Sequence, residues 1–461
     1  MFESQLRSKL AAGDVDDIAA FHALLLPLSC GSQLSIVSNQ AQLIVVAAGR
    51  TPSDKLASNR LQTRPSYRLR VAFFRGSANS NLERLAALLS LDRGRFSVDL
   101  YTTSPAEGEL APLRSRSLLG VRDVDAARIL SSYDILLDGS GHTAGNRLDA
   151  LARRPSPIAA SVLGFPSSYG GAGLVDYLTA DRIVSPPNLC SACVARQERL
   201  ALMPTTYQVV GRAVASLASG NTRGGAQPAS KGSLTTVPTL ILGTFTRSVR
   251  WHPDSFGLWA SILLRTRPAS AWDATSGRAT SFARRSRRRT ATTRVVGTSL
   301  WALADRNEER VRLAAELGAA GVSVPSRLRF DSFEPDKAAH LARHQELAMC
   351  VDTTPLYGSH TTAADAFGAA RPLLTLPAET WASRVGASVA NAAGVPQVVV
   401  ASRKSLVDVA ALLLQMAPFT PIATRQQAAA LHPDQAQVAN ERWWKRSVGL
   451  DPSSSRLPFS L

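Results

Sequence analysis

Cysteine is scarce: Cys30, Cys190, Cys193 and Cys350 are the only four in 461 residues. That is too few for a disulfide framework and suits a reducing compartment. The Cys190-Ser-Ala-Cys193 spacing has no second pair to complete a zinc site, so no metal is expected there. Aromatic residues are also sparse, at 6%. No uninterrupted apolar run approaches the roughly 18 residues that a membrane-spanning helix needs, so no membrane partner is expected. The first twenty residues, MFESQLRSKLAAGDVDDIAA, carry acids and lack an apolar core after a basic start. A secretory signal is therefore not expected, and the cytoplasm is the compartment inferred, with the nucleus left open.

Hydrophobic residues make up 45% of the chain, and 461 residues exceed what one hydrophobic core usually supports. Two folded lobes are expected. The net charge of +17 raises the question of a nucleic-acid partner, and its distribution argues against one. Between Arg265 and Arg294 there are nine arginines against the single acid Asp273, so one local insert supplies +8 of the charge. A basic face spread over a fold would look different. RRSRRR inside this insert could also serve as a nuclear-import or RNA-binding patch.

Apolar spacing predicts a helical extension over 1–66. An N-terminal α/β lobe then covers 67–216, with strands at Tyr67 to Phe74, FSVDLYT, YDILLDG and PIAASVLGF and a helix at LERLAALLSL. The Gly/Ser/Thr-rich stretch 217–237 reads as a linker. A second α/β lobe is expected over 238–430: strands TLILGTF, SLWALAD, ELAMCVDT, PLLTLP and PQVVVA, and helices DSFGLWASILLRT, NEERVRLAAELGAAG and VDVAALLLQM. Within it the insert 268–297 is too polar to bury a core and is expected to be disordered. Residues 431–461 form a tail. Alternating strands and helices predict two mainly parallel, Rossmann-like sheets covered on both faces, with ligands in a cleft between the lobes.

Two segments carry candidate chemistry. LYGSHTTAADAFGAA opens a helix just after a buried strand, where unpaired backbone N–H groups and the helix dipole favour an anion. His360, Thr361 and Thr362 would add donors toward a diphosphate, and Asp365 lies one turn further, placed to accept from a ribose hydroxyl. The same residues could instead do no more than cap the helix. The second segment, YDILLDGSGHTAGNRLDALARRPSPI, puts His142 on a loop at the end of a strand, a candidate for acid/base work or simply an exposed loop histidine.

Longer blocks surround both. GHTAGNRLDALARRPSPI is followed by LGFPSSYGGAGLVDYLTAD, and HLARHQELAMCVDTTPLYGSHTTAADAFGAARPLLTLPAETWASRVGAS comes later. In their order and content they resemble the catalytic region of the O-GlcNAc transferase/SPINDLY family over roughly residues 67 to 212 and 238 to 418. The resemblance implies a GT-B fold of two Rossmann-like lobes, with the active site between them. It also implies an inverting, metal-independent protein O-glycosyltransferase that needs no cofactor. The implied partners are a nucleotide-sugar donor, UDP-GlcNAc first, and Ser/Thr acceptors of intracellular proteins. A GDP-fucose-using O-fucosyltransferase and a catalytically impaired nucleotide- or partner-binding relative are the alternatives. By position, His360, Thr361 and Thr362 would hold the donor pyrophosphate and Asp365 the ribose. Lys337, His340 and Arg343 would line the nucleotide pocket, and His142 would remain as acid/base candidate.

The chain departs from the family pattern at several positions. In GTFTRSVRWHP, Arg250 stands where the family has a lysine on the leaving diphosphate, with Arg247 nearby. Ser77 and Asn81 stand where two N-lobe histidines are expected. The arginine-rich insert replaces a short connection. The tetratricopeptide repeats usual in the family are not seen in this chain, which shows no 34-residue period.

Overall fold

A computed structural model describes residues 68–76, 92, 94–103, 114–143, 145–170, 173–186, 198–208, 239–266, 297–369 and 371–416. The predicted extension over 1–66, the helix LERLAALLSL, the linker 217–237 and the tail 431–461 lie outside them. So do Ser77, Asn81, Cys190, Cys193 and the basic insert up to residue 296. Gly297, counted with the insert on sequence, instead opens a strand. The described residues form two compact units, one from residues up to 208 with 378–394, the other from 239–377 with 395–416.

In the first unit, seven strands are present: β1 (Leu69–Arg75), β2 (Phe96–Thr102), β3 (Arg114–Ser117), β4 (Ile135–Asp138), β5 (Ile158–Ser161), β6 (Tyr177–Asp181) and β7 (Arg199–Met203). They pair in the order β3-β2-β1-β4-β5-β6-β7, every pair parallel. β1 shows why this sheet is covered on both faces. Its side chains alternate, as strand geometry requires. Val71 and Phe73 join Val98 and Leu100 in one cluster, whereas Ala72 and Phe74 join Tyr101, Leu130 and Leu136 in another. The second cluster is closed by helices α1 (Asp123–Leu130) and α2 (Leu148–Ala152).

The second unit opens with β8 (Thr239–Thr244), a 3-10 turn at Ser248–Arg250 and α3 (Pro253–Arg265). After β9 (Gly297–Leu303) come α4 (Asn307–Ala319), α5 (Val324–Arg327), β10 (Leu328–Asp331), α6 (Lys337–Gln345) and β11 (Met349–Val351). Next are α7 (Thr361–Gly368) and β12 (Leu373–Leu374). The sheet runs β10-β9-β8-β11-β12, again parallel throughout. α8 (Trp381–Ala392) belongs to the first unit: Ser388 Oγ donates to Asp181 Oδ2 at 2.6 Å and Arg384 Nε to the Ile183 carbonyl at 2.7 Å. α9 (Arg403–Met416) returns to the second unit and packs on α3. Trp259, Ile262, Leu242 and Trp301 are fully buried there, each large apolar side chain contributing about 1.5–3 kcal/mol by leaving water. Among the described residues no helix is long and apolar enough to cross a membrane.

PQVVVA, predicted as a strand, forms instead a 3-10 turn at Pro396–Val398 and a single bridge between Thr375 and Val399. Pro396 lacks the N–H that a paired strand would donate. In both units the strand order reverses between the first strand and its neighbour across the sheet: β1 beside β4, and β8 beside β11. Such open parallel sheets bind ligands beyond the carboxyl ends of the strands at this reversal.

Candidate donor site

At the β8/β11 reversal the chain leaves β8 through Phe245, Thr246 and Arg247 and leaves β11 through Asp352 to His360. The two loops are tied by a Thr246–Ser359 hydroxyl contact at 3.1 Å. Asp352, buried at the end of β11, organises the second loop. Its Oδ1 accepts from the backbone of Thr353 at 2.8 Å and of Ser359 at 2.5 Å, and its Oδ2 accepts from Thr375 Oγ1 at 2.7 Å. Burial pushes its carboxyl above the usual range, and these hydrogen bonds oppose that rise. The segment between is held by Thr353 Oγ1, which donates to the Tyr357 carbonyl at 2.6 Å.

The loop ends at α7. Side chains cap α3 (His252), α6 (Asp336) and α8 (Thr380), but none caps α7. Ala363 N–H already bonds to the His360 carbonyl at 3.1 Å. The N–H groups of Thr361 and Thr362 have no protein acceptor among the described residues, so the positive end of the helix faces outward with donors to spare. A cation lies beside it. The Arg250 guanidinium sits 4.1 Å over the Tyr357 ring, and that ring stacks on the His360 imidazole at 4.7 Å with planes 19° apart. Among the described residues Arg250 forms no ion pair, which leaves its planar fork available for an oxyanion.

A second cluster is built by α6. Asp336 caps this helix by accepting from Ala339 N at 2.7 Å. One turn on, His340 Nδ1 lies 3.5 Å from Arg343 Nη2, and His340 Nε2 lies 3.3 Å from Asp365 Oδ2. Since Arg343 is only a donor, Nδ1 accepts and Nε2 carries the proton toward Asp365. Arg343 also donates to the Ser332 carbonyl at 3.0 Å and pairs with Asp331 at 3.3 Å. Phe245 lies against His340, His344 and Arg343. Lys337 is the first residue of α6; its side chain lies outside the description. Arg247 is exposed, 5.1 Å over the Phe333 ring.

The second unit thus gathers His360, Thr361, Thr362 and Arg250 around the start of α7, and His340, Arg343 and Asp365 around the α6–α7 contact. Sequence reasoning passed over Tyr357, Phe245 and Asp352. Tyr357 lay inside the LYGSHTT segment, but nothing in the sequence shows that its ring joins Arg250 to His360.

His142 lies in the first unit, at the β1/β4 reversal, and is buried at 2% exposure. Its Nε2 is 3.0 Å from the Tyr169 carbonyl; a carbonyl only accepts, so Nε2 carries the proton and any basic role falls to Nδ1. The imidazole packs on Phe165 and Tyr169. The hydroxyl of Tyr169 donates to Asp138 at the end of β4, and Gly141 N–H donates to the same carboxylate at 2.7 Å. Burial raises the Asp138 carboxyl and the Tyr169 hydroxyl alike.

Comparison with known proteins bears on this arrangement. The model of glycosyl transferase family 41 matches residues 120–218 and 292–422. A protein of Arabidopsis thaliana named "Probable UDP-N-acetylglucosamine--peptide N-acetylglucosaminyltransferase SEC" is 24% identical over 410 residues, which cover 85% of this chain and 38% of that protein. The chain therefore spans well under half of that relative's length. A rice (Oryza sativa subsp. japonica) SPINDLY protein is 31% identical over 94 residues, 20% of this chain and 10% of its own. Among solved structures, an O-GlcNAc transferase mutant of Thermobaculum terrenum superposes with a TM-score of 0.61 at 22% identity, covering 89% of this chain and 74% of that one. That likeness shows the fold, the GT-B class with two Rossmann-like lobes. The family match, the relatives and the fold agree: the chain belongs to glycosyl transferase family 41, the O-GlcNAc transferase/SPINDLY family.

Proposed function

We propose that this chain is a protein O-glycosyltransferase that moves GlcNAc from UDP-GlcNAc to Ser or Thr hydroxyls of intracellular proteins, with inversion at the sugar and without a metal. The observation that carries the reading is the Arg250–Tyr357–His360 stack beside the uncapped start of α7. Breaking the sugar–phosphate bond leaves charge on the nucleoside diphosphate. Pre-aimed N–H donors and a fixed cation stabilise that charge most in the transition state. Thr361 and Thr362 supply amides and hydroxyls, and Arg250 supplies the cation. The His340–Asp365 pair and Arg343 would face the nucleoside, with Lys337 at the head of the same helix.

The reading is tested by incubating purified chain and a peptide pool with labelled UDP-GlcNAc in EDTA, with GDP-fucose as a parallel donor. GlcNAc transfer lost on Arg250→Ala supports it; fucose transfer alone reassigns the donor. One observation favours a second reading, binding of the donor without transfer: His142, the remaining N-lobe histidine of the expected set, is buried with its Nε2 proton committed to Tyr169. Tight UDP binding with no transfer of either sugar would select it.

A further inference from the structure

The first unit holds a polar cavity of about 700 Å³ lined by Arg68, Arg70, Arg116 and Arg128, with Asp99, Tyr101 and Tyr133 at its base. We propose that it is a binding site for a phosphate ester, separate from the donor site.

Strand register places the lining. Arg70 on β1 pairs with Ser97 on β2, and Tyr101 on β2 pairs with Arg116 on β3. Arg70, Ser97, Asp99, Tyr101 and Arg116 therefore fall on one face by alternation. This is the face that α1 covers through Ala126 and Leu130. The helix ends at Leu130, and past its end the face turns from apolar to charged.

The base of the cavity is fixed. Tyr133 Oη donates to Asp99 Oδ2 at 2.5 Å and lies 2.9 Å from Tyr101 Oη, and the two rings meet edge to face at 5.8 Å. Asp99 is thereby engaged by a hydroxyl. Burial and these hydrogen bonds raise the Tyr133 hydroxyl far above its ordinary range, so it stays a neutral donor. Arg70 lies 5.0 Å over the Tyr133 ring and donates to Ser132 Oγ at 3.1 Å, while Arg68 Nε donates to the Phe96 carbonyl at 3.0 Å. Arg68 and Arg70 are thus held by neutral groups, while Arg116 is hydrogen-bonded to Tyr101 and lies within the field of Asp99. Among the described residues none of the four forms an ion pair.

Four guanidiniums around one committed carboxylate repel one another, and a bound dianion relieves that repulsion through charge-assisted hydrogen bonds. The volume suits a small ligand or the tip of a peptide. A neutral sugar would leave the charge unanswered, whereas a phosphate monoester carries close to two negative charges and three acceptor oxygens at neutral pH. Arg70 lies at the opposite end of β1 from the β1/β4 reversal, about 20 Å from Gly76 at 3.3 Å per residue, while Tyr101 and Arg116 lie one and two strands out from β1 near its carboxyl end.

The test is calorimetric titration of the full chain with O-phosphoserine, and with a short peptide carrying phosphoserine. Wild type and Arg250→Ala are expected to bind equally well. Arg116→Ser/Arg128→Ser is expected to lose at least tenfold in affinity, as is Arg128→Ser alone to a smaller degree. Arg116 and Arg128 are exposed, so thermal unfolding should not fall. Equal affinity for both probes assigns a free phosphate metabolite; tighter binding of the peptide assigns a phosphorylated protein segment. No binding at millimolar probe overturns the proposal. So does binding that falls with Arg250→Ala and ignores Arg116→Ser/Arg128→Ser.

Discussion

The guanidinium of Arg250 lies 4.1 Å over the ring of Tyr357, and through that ring it is coupled to His360 at the start of α7. A lysine at position 250 would bring a point charge on a flexible stem; arginine brings a planar fork that an aromatic face can hold still. Arg250→Ala is expected to weaken UDP binding by roughly tenfold to a hundredfold, the range of about 1.5–3 kcal/mol for one charge-assisted hydrogen bond. Arg250→Lys should recover part of it. Calorimetry with UDP in EDTA reads both, and unchanged binding in Arg250→Ala would remove this residue from the site.

Tyr357 positions Arg250, so its own variants should separate stacking from the hydroxyl. Tyr357→Phe keeps the ring and is expected to bind UDP as wild type does. Tyr357→Ala loses a cation–π contact worth about 0.5–2 kcal/mol, a twofold to thirtyfold weakening. Equal loss in both variants would mean that the hydroxyl, and not the stack, matters.

Legibility of the fold in the sequence follows a physical line. β2 was read residue for residue from FSVDLYT, and the strands at TLILGTF and SLWALAD were found because central parallel strands are continuous apolar runs. β3, with the sequence RSRS, and β10, LRFD, lie at sheet edges and carry no such run, so the apolar pattern does not mark them. In the candidate site, the residues that the sequence singles out are those whose types suit a phosphate or a ribose. The missing parts were relationships: Arg250 to Tyr357, His340 to Asp365, and Asp352 to the Ser359 amide seven residues on. The first joins two segments that follow different strands, the second joins two helices, and the third folds one loop back on itself, and none of these is set by local sequence pattern. His142 was placed on its loop correctly, but its burial depends on Phe165 and Tyr169 from the following loop.

Asp352 makes stability depend on pH. Its carboxyl is raised in the folded chain by burial. Between the unfolded value, about 3.9, and the raised folded value the native state holds more protons than the unfolded one. Stability is therefore greatest below the unfolded value and falls as pH rises through the folded one, by at most about 1.4 kcal/mol per pH unit for one group. Thermal midpoints measured from pH 4 to 7 should decline less steeply in Asp352→Asn than in wild type. Identical slopes would show that Asp352 ionises as freely folded as unfolded.

Gly141 offers a test of the loop that seats His142. Its φ is +53°, a conformation that costs a residue with a Cβ about 1–2 kcal/mol. A Cβ there would also stand 2.3 Å from Cβ of Phe165, which packs on His142. Gly173 provides the control: its φ is +67°, and nothing lies within 4 Å of an added Cβ. Gly173→Ala should therefore show backbone strain alone. Gly141→Ala should add an overpacking cost of about 1–3 kcal/mol, so that its thermal midpoint falls clearly below that of Gly173→Ala. UDP binding, proposed for the second unit, should stay unchanged in both. If the two variants unfold at the same temperature, Phe165 moves aside without cost, and His142 is held by the Tyr169 carbonyl and not by the packing around it.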